Sequence, residues 1–153
     1  MNRFMKIAKD ESEKGMRLNE GGPFGAVIVK KGKIISKAHN TVLKTNDPTN
    51  HAEMIAIREA SKKLKRFDLS DCEIYSSCEP CPMCFSAIHW AKIKKVYFGC
   101  TRKDAEEINF DDKFIYDEIK GTAKKKVKLV PMNRKDCLKS FKEWEKKEDK
   151  VKY

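Results

Sequence analysis

The sequence lacks the features that would place the chain in a membrane or in a secretory pathway. No apolar run approaches the roughly 20 residues that span a bilayer. The segment from Met1 to Glu11 has no apolar core of the kind found in secretory signals. From these two absences we predict a cytoplasmic protein without a membrane partner. No repeat or low-complexity linker divides the 153 residues, so we also predict a single domain over residues 1–153.

The chain is also short of arginine, which supplies 6 of its 34 basic side chains. The net charge of +11 is concentrated at one end, because residues 1–119 carry 21 basic and 18 acidic side chains and residues 120–153 carry 13 and 5. A basic tail can bind nucleic acid, but guanidinium groups form better contacts with phosphates and base edges than ammonium groups do. We therefore favour a solvated, lysine-rich helix over a nucleic-acid surface, which is kept as the alternative.

Apolar periodicity and turn-forming residues predict an alternation of helices and strands. The predicted elements are helix 2–19, a hairpin over 24–36 around Lys31-Gly32, helix 51–64 capped by Thr49 or Asn50, strand 72–76, helix 82–91, strand 95–100, a short helix within 103–119, a candidate strand 127–130, and a C-terminal helical segment, 131–153, with an apolar stripe. This order is typical of a three-layer α/β/α domain.

The most informative pattern in the chain joins His51 and Glu53 to Cys81 and Cys84. One imidazole and two thiolates suit zinc, and three protein ligands leave one coordination position for water. The order H-x-E followed by P-C-x-x-C is the signature of zinc deaminases that act on nucleobases. Both motifs lie where a loop enters a helix, so the partial positive charge of two helix N-termini favours the thiolates.

The six cysteines indicate a metal site rather than disulfides, because Cys78, Cys81 and Cys84 crowd together in a chain without a secretory signal. Cys78 can in principle replace Cys81 as a ligand, but its position at a strand end favours a spectator role. Small, buried apolar roles are expected for Cys72, Cys100 and Cys137. Structural roles are expected for His39 and His89.

Glu53 is expected to transfer protons in a hydrolytic deamination. As a carboxylate two residues from the imidazole, it can accept a proton from a water molecule that the metal activates. It can then return protons to a ring nitrogen and to the amine, which leaves as ammonia. The chain is therefore predicted to be an enzyme, a zinc-dependent aminohydrolase.

Several segments carry a resemblance to a known family: Gly22–Lys30, Asn46–Thr49, His51–Glu53, Ser77–Cys84, Phe110–Tyr116 and the terminal Tyr153. Together they resemble the bacterial guanine deaminases of the cytidine deaminase-like superfamily, from Gly21 to the end of the chain. The resemblance implies the cytidine deaminase-like α/β/α fold with a central mixed sheet. It also implies one Zn2+ per subunit and hydrolysis of guanine to xanthine and ammonia in purine catabolism or salvage.

The same resemblance implies roles for individual residues. By position it assigns zinc binding to His51, Cys81 and Cys84, catalysis to Glu53 and Asp112, and purine binding to Asn40, Phe24 and Tyr153. Whether Asp111 or Asp112 faces the base is left open, and from the residues alone Asn40 can equally be a turn former. The resemblance further implies a homodimer in which the C-terminal segment, 131–153, swaps between subunits and places Tyr153 over the partner's site.

Other functions fit the same motifs. A tRNA adenosine deaminase would share the fold, the zinc and Glu53 but would act on a flipped base in RNA, and the basic tail favours it. Guanosine or cytosine is a possible substrate on the same scaffold. A zinc-stabilised binding module without enzymatic activity is a different class, and a fourth protein ligand such as Cys78 would favour it.

Overall fold

The structure is a computed structural model that describes residues 1–152, so the predicted substrate contact of Tyr153 lies outside the described residues. Over the first 100 residues the helices and strands follow the predicted order, with one additional short helix over residues 42–45 that was not predicted. The elements are α1 (Arg3–Arg17), β1 (Gly25–Lys30), β2 (Lys33–His39), α2 (Val42–Thr45), α3 (Ala52–Leu64), β3 (Glu73–Cys78), α4 (Pro82–Trp90), β4 (Val96–Cys100), α5 (Arg102–Glu107), α6 (Lys113–Lys120) and α7 (Arg134–Lys146).

Four strands form one mixed sheet in the order β2-β1-β3-β4. Strand β1 pairs antiparallel with β2 and with β3, whereas β3 and β4 are parallel and are joined by the crossover helix α4. The predicted hairpin is confirmed, with the turn at Lys31 and Gly32 adopting φ values of 46° and 74°. Positive φ at both central positions gives the twist that two-residue hairpin turns require.

Helices cover the sheet on both faces and produce the predicted three layers. Alternate residues of the strands, such as Ile28 and Ile74, point to the face that α3 and α4 cover, where the larger buried cluster lies. The intervening residues, such as Val27 and Tyr75, point to the opposite face and pack with Ala8 of α1. This alternation follows from the two-residue period of a strand whose two faces are both buried.

The chain beyond β4 departs from this compact arrangement. The segment predicted as a strand, residues 127–130, is not a strand among the described residues, and its side chains are exposed. Helix α7 forms as predicted, but its apolar residues Phe141 and Trp144 are also exposed. The prediction for 103–119 was partly wrong, because two helices, α5 and α6, occupy this region.

Two of the expected burial assignments were wrong. Cys72 is buried as expected, but Cys100 on β4 and Cys137 on α7 are exposed. Both cysteines lie on elements that the rest of the described chain leaves uncovered. Strand β4 is at the edge of the sheet, and the side chains of α7 are largely exposed. No helix of the described residues combines the length and apolar character needed to cross a membrane.

Candidate active site

The loop before α3 fixes the position of His51. Oδ1 of Asp47 accepts hydrogen bonds from the backbone N–H of Thr49 (2.8 Å) and from its hydroxyl group (2.7 Å). The helix then begins with His51 as its N-cap, in an extended conformation and without a side-chain cap bond. The prediction that Thr49 or Asn50 caps this helix was wrong. The physical reason is that the loop extends one residue beyond Asn50 before the helix begins, so His51 takes the N-cap position. Its imidazole makes no cap bond and is free to face α4.

Two cysteines at the start of α4 meet the imidazole of His51. Cys81 is the N-cap of α4, Pro82 occupies the first turn, and Cys84 is buried one turn further. Nδ1 of His51 lies 3.5 Å from Sγ of Cys81 and 3.6 Å from Sγ of Cys84. Tetrahedral zinc, with Zn–N of about 2.0 Å and Zn–S of about 2.3 Å, would separate a nitrogen and a sulfur ligand by about 3.5 Å.

These three residues can therefore hold one metal ion, since their ligand atoms all lie within 4.8 Å of one another. Hydrogen bonds from Cys84 and from the neighbouring His51 lower the pKa of Cys81 to about 4, and they outweigh the partial burial, which alone would raise it. A thiolate is the form that binds the metal. The helix N-termini of α3 and α4 add partial positive charge on the same side.

Cys78 does not join this group. Its thiol donates a hydrogen bond to the carbonyl oxygen of Thr101 at 3.6 Å, and burial raises its pKa to about 12. A thiol held protonated in this way is a poor metal ligand. Among residues 1–152, the cluster of His51, Cys81 and Cys84 has no fourth histidine, cysteine or carboxylate member, which argues against a closed structural site.

Glu53 lies beside the cluster in the first turn of α3 and is 5% exposed. Its Oε1 accepts a hydrogen bond of 3.0 Å from the hydroxyl of Ser76 on β3, and its Oε2 lies 3.5 Å from Sγ of Cys84. Burial raises the pKa of Glu53, and the nearby Cys81 adds to the rise. A raised pKa suits a carboxyl group that must both accept and donate a proton near neutral pH.

Ser76 was not singled out from the sequence. Its position could have identified it, since it shares a strand face with Ile74 and Cys78 and is therefore a polar residue directed into the α3–α4 layer. A buried hydroxyl requires a hydrogen-bond partner. The sequence alone does not show that this partner is Glu53, because the pairing depends on how α3 packs across the sheet.

A cavity of about 580 Å3 opens next to the cluster and contains most of the predicted substrate-binding residues. Its lining includes Phe24, Asn40, His51, Glu53, Cys81, Asp111 and Asp112, together with apolar residues of α2, α5 and α6. Its size is typical of a site for a small organic molecule. Both aspartates reach the cavity, so the question of which one faces the base stays open.

The rings of Phe24 and Phe110 form one wall of this cavity. Their centroids are 5.0 Å apart and their planes meet at 87°, which is the favourable edge-to-face arrangement. Gly22 makes room for it, because a Cβ there would lie 2.9 Å from the Phe110 ring. Asn40 is 5% exposed at the end of β2, and its Oδ1 accepts a hydrogen bond of 3.1 Å from the N–H of Val42. Asn40 is thus both a turn former and a cavity residue.

Comparison with known protein families agrees with this geometry. The model of the cytidine and deoxycytidylate deaminase zinc-binding region matches residues 1–100, which contain the whole metal cluster and Glu53. The match ends at the last residue of β4, so the family model does not describe α5, α6 or α7.

Two curated relatives differ in how much of the chain they match. Guanine deaminase from Bacillus subtilis is 44% identical over 151 residues, which are 98% of this chain and 97% of that protein. The tRNA-specific adenosine deaminase from Aquifex aeolicus is 47% identical over 100 residues, which are 65% of this chain and 66% of that protein. The similarity to the first relative therefore includes the C-terminal third, and the similarity to the second covers only two thirds of the chain.

Two solved structures, both of guanine deaminases, also differ in how much of this chain they match. The crystal structure of guanine deaminase from Bacillus subtilis superposes with a TM-score of 0.94 over 100% of this chain and 99% of that one, at 44% identity. The guanine deaminase from Nitrosomonas europaea superposes with a TM-score of 0.68 over 71% of this chain and 63% of that one, at 30% identity. The chain belongs to the family of zinc-dependent deaminases that share the cytidine and deoxycytidylate deaminase zinc-binding region.

Proposed function

We propose that the protein hydrolyses guanine to xanthine and ammonia. The observation that carries the proposal is the extent of the similarity to guanine deaminase from Bacillus subtilis, which spans 98% of this chain and includes the residues beyond β4. Those residues form one side of the cavity through α5 and α6. A cavity closed by a protein wall suits a free base better than a nucleotide within an RNA chain.

His51, Cys81 and Cys84 would hold the zinc ion. Zinc, when bound, supplies Lewis-acid activation of a water molecule near neutral pH. The protein's contribution is to fix the two thiols at the start of α4 and the imidazole at the start of α3, and to leave one side of the cluster open to the cavity.

Glu53 would take a proton from the attacking water and deliver protons to the purine ring and to the leaving amine. Its burial and the hydrogen bond from Ser76 hold the carboxyl group in one orientation next to the cluster. Such general acid–base catalysis typically contributes about 10²- to 10⁴-fold to a rate. Glu53 would accept two protons in turn, one from the attacking water and one from the hydroxyl group that the attack leaves on the ring carbon. The first stays on the ring nitrogen and the second leaves with ammonia, so the carboxylate is restored at the end of the turnover.

The purine would bind between the aromatic wall and the polar groups of the cavity. Phe24 and Phe110 offer apolar surface to the ring system. Asn40 uses Oδ1 for Val42, so its amide NH2 group is the part that can donate to an acceptor of guanine. Asp112 is half-buried in the cavity, where burial and Cys81 raise its pKa, and it would accept a hydrogen bond from the base or assist proton transfer.

The test is ammonia release from zinc-loaded protein incubated with guanine, guanosine, adenine, cytosine or unmodified tRNA. We expect ammonia from guanine, and a loss of at least about 10²-fold in turnover with zinc retained for Glu53→Gln. Inosine formation in tRNA, without activity on free bases, would instead assign the tRNA function and give the basic tail a role. Activity of the Glu53→Gln variant close to that of the wild type would contradict the assigned role of Glu53.

We further propose that the protein acts as a homodimer in which the C-terminal segment, residues 131–153, covers the partner's site. Two uncovered surfaces support this. The side chains of β4, an edge strand, are mostly exposed, with Phe98 at 47%. The apolar side chains of the terminal segment are exposed as well, with Met132 at 75% and Phe141 at 72%. The exposed apolar side chains of β4 in one copy and of the terminal segment in a second copy can bury each other.

A complementation experiment tests the swap. Two variants with impaired sites, Glu53→Gln and Tyr153→Ala, are refolded alone and as an equimolar mixture. If the terminal segment serves the partner's site, each mixed dimer contains one site with both defects and one site with neither. The mixture should then recover activity that neither variant has alone. If each segment serves its own site, the mixture gives only the mean of the two variants, and size-exclusion chromatography of a monomer would contradict the dimer itself.

A further inference from the structure

The segment that forms the cavity wall is attached to the loop that supplies Cys81. At its start, Arg102 approaches Glu79, which lies two residues before Cys81. The backbone N–H of Arg102 donates to Oε2 of Glu79 at 3.1 Å, and Nε of its guanidinium lies 3.1 Å from Oε1. The N–H of Glu79 donates in turn to the carbonyl of Cys100 at 2.8 Å. The beginning of α5 is therefore fixed to this loop by side-chain and backbone contacts.

A second attachment lies on α6. The hydroxyl of Tyr116 donates a hydrogen bond of 3.1 Å to the carbonyl oxygen of Pro80, the residue immediately before Cys81. The guanidinium of Arg102 lies over the Tyr116 ring, 4.3 Å from its centroid. The two attachments therefore contact each other as well as the loop, and together they form one unit that we call the wall clamp: Glu79, Pro80, Arg102 and Tyr116.

The chain between the two attachments carries the cavity residues of this segment. Phe110, which packs on Phe24, and Asp112, which lies in the cavity, both fall between Arg102 and Tyr116 in sequence. Tyr116 itself is not among the cavity-lining residues within the described chain and faces a separate shallow groove. Its contact with the substrate site is thus indirect.

We propose that Tyr116 is a positioning residue for the substrate, which acts by holding Phe110 and Asp112 at a fixed distance from the metal cluster. The wall clamp links the two sides of the cavity. One side is the loop that carries the metal ligand Cys81, and the other is the segment that carries Phe110 and Asp112. Loss of the Tyr116 hydroxyl frees the end of the wall while the ligands, held by α3, β3 and α4, keep their places. This inference rests on the proposed function for its substrate, guanine.

Tyr116→Phe removes the hydroxyl group and keeps the ring under Arg102. One hydrogen bond contributes about 1 kcal/mol, so we expect KM for guanine to rise about fivefold while kcat changes less than about twofold. A role limited to folding would instead lower the amount of active enzyme, with kcat reduced and KM unchanged. Zinc content should remain that of the wild type. Tyr75→Phe is the matched control, because Tyr75 also bonds a nearby group through its hydroxyl but lies on the α1 face of the sheet.

A double-mutant cycle with Phe110→Ala tests whether Tyr116 acts through the wall. If it does, Tyr116→Phe has little further effect on KM once the Phe110 ring is absent. Full multiplication of the two KM effects would overturn the proposal, as would an unchanged KM in Tyr116→Phe alone.

Amide hydrogen exchange gives a measurement that does not depend on the substrate. Tyr116→Phe should speed exchange in residues 108–116 and leave α3 and α4 as they are in the wild type. Faster exchange in a protein that is inactive on guanine would support the wall clamp and reject guanine as the substrate. Unchanged exchange with a normal guanine activity would reject the clamp and keep the function.

Discussion

The hydroxyl of Ser76 on the interior strand β3 donates a hydrogen bond of 3.0 Å to Oε1 of Glu53 on α3. Both side chains are buried, at 2% and 5% exposure. The sheet thereby determines the orientation of a carboxyl group that the helix alone would leave free to rotate. The contact also connects the fold's core to the chemistry, because the same face of β3 packs against the helices that carry the metal ligands.

Ser76→Ala should impair turnover without loss of zinc. The variant leaves a buried carboxyl oxygen without its donor, which costs about 1–3 kcal/mol, so we expect kcat to fall about tenfold or more. Steady-state kinetics together with zinc analysis would measure this. Ser36→Ala is a matched control, since Ser36 is also buried and its hydroxyl donates to the carbonyl of Ala56 on α3 at 2.7 Å. An equal loss of kcat in both variants would show that the effect arises from stability alone.

The first 100 residues show how far local sequence patterns determine this fold. The hairpin follows from an apolar run, Lys31-Gly32 and a second run, and helix α4 follows from Pro82 at its start. The candidate metal ligands His51, Cys81 and Cys84 were predictable for a different reason, since zinc binds imidazole and thiolate groups at such spacings. The structure brings the ligand atoms of the three predicted residues within 4.8 Å of one another, so they could hold one metal ion.

The remaining features depend on contacts between distant parts of the chain. The sheet order β2-β1-β3-β4 and the bond between Ser76 and Glu53 require long-range packing that no local pattern encodes. The run over residues 127–130 has the β-branched composition of a strand, but no strand within residues 1–152 pairs with it. His39 was assigned a structural role without a partner, and the fold places it between Glu11 and Glu20.

Removal of zinc should lower stability as well as abolish activity. A ligand that binds only the folded chain stabilises it by about 4 kcal/mol at a thousand times its Kd, so chelation should lower the unfolding temperature by roughly 10 °C. Thermal unfolding with and without a chelator would measure the shift. Cys81→Ser should lose the metal and the shift together, whereas Cys137→Ser, a change at an exposed thiol on α7, should keep both. Stoichiometric zinc in Cys81→Ser would contradict the ligand assignment.

Asn40→Asp should weaken guanine binding without disturbing the local turn. The variant keeps an oxygen to accept the hydrogen bond from Val42, but it replaces the amide NH2 donor with a second acceptor. Guanine presents acceptors at O6 and N7, so the loss of a donor should raise KM about 10- to 100-fold. Initial rates over a range of guanine concentrations would show this. Asn19→Asp, at an exposed position after α1, should leave KM unchanged, and an unchanged KM in Asn40→Asp would remove Asn40 from the substrate site.

Glu20 should contribute to stability only at pH values where it is ionised. Its carboxylate accepts from Nε2 of His39 at 2.8 Å and from Nζ of Lys44 at 2.7 Å, and these bonds lower its pKa, with the bond from His39 the larger effect. A carboxyl group whose pKa is lower in the folded state stabilises the fold above its ordinary pKa, near 4.5, and this stabilisation is lost as the pH falls through the folded value.

The corresponding experiment compares the unfolding temperatures of the wild type and Glu20→Gln between pH 7 and pH 3. The wild type should be the more stable protein at pH 7, and the difference should shrink as the pH falls below the ordinary carboxyl range. Glu59→Gln, a change on the exposed side of α3, controls for the loss of one negative charge and should show no such pH-dependent difference. A difference between wild type and Glu20→Gln that is constant across this range would mean that the contact between Glu20 and His39 does not depend on the ionised carboxylate.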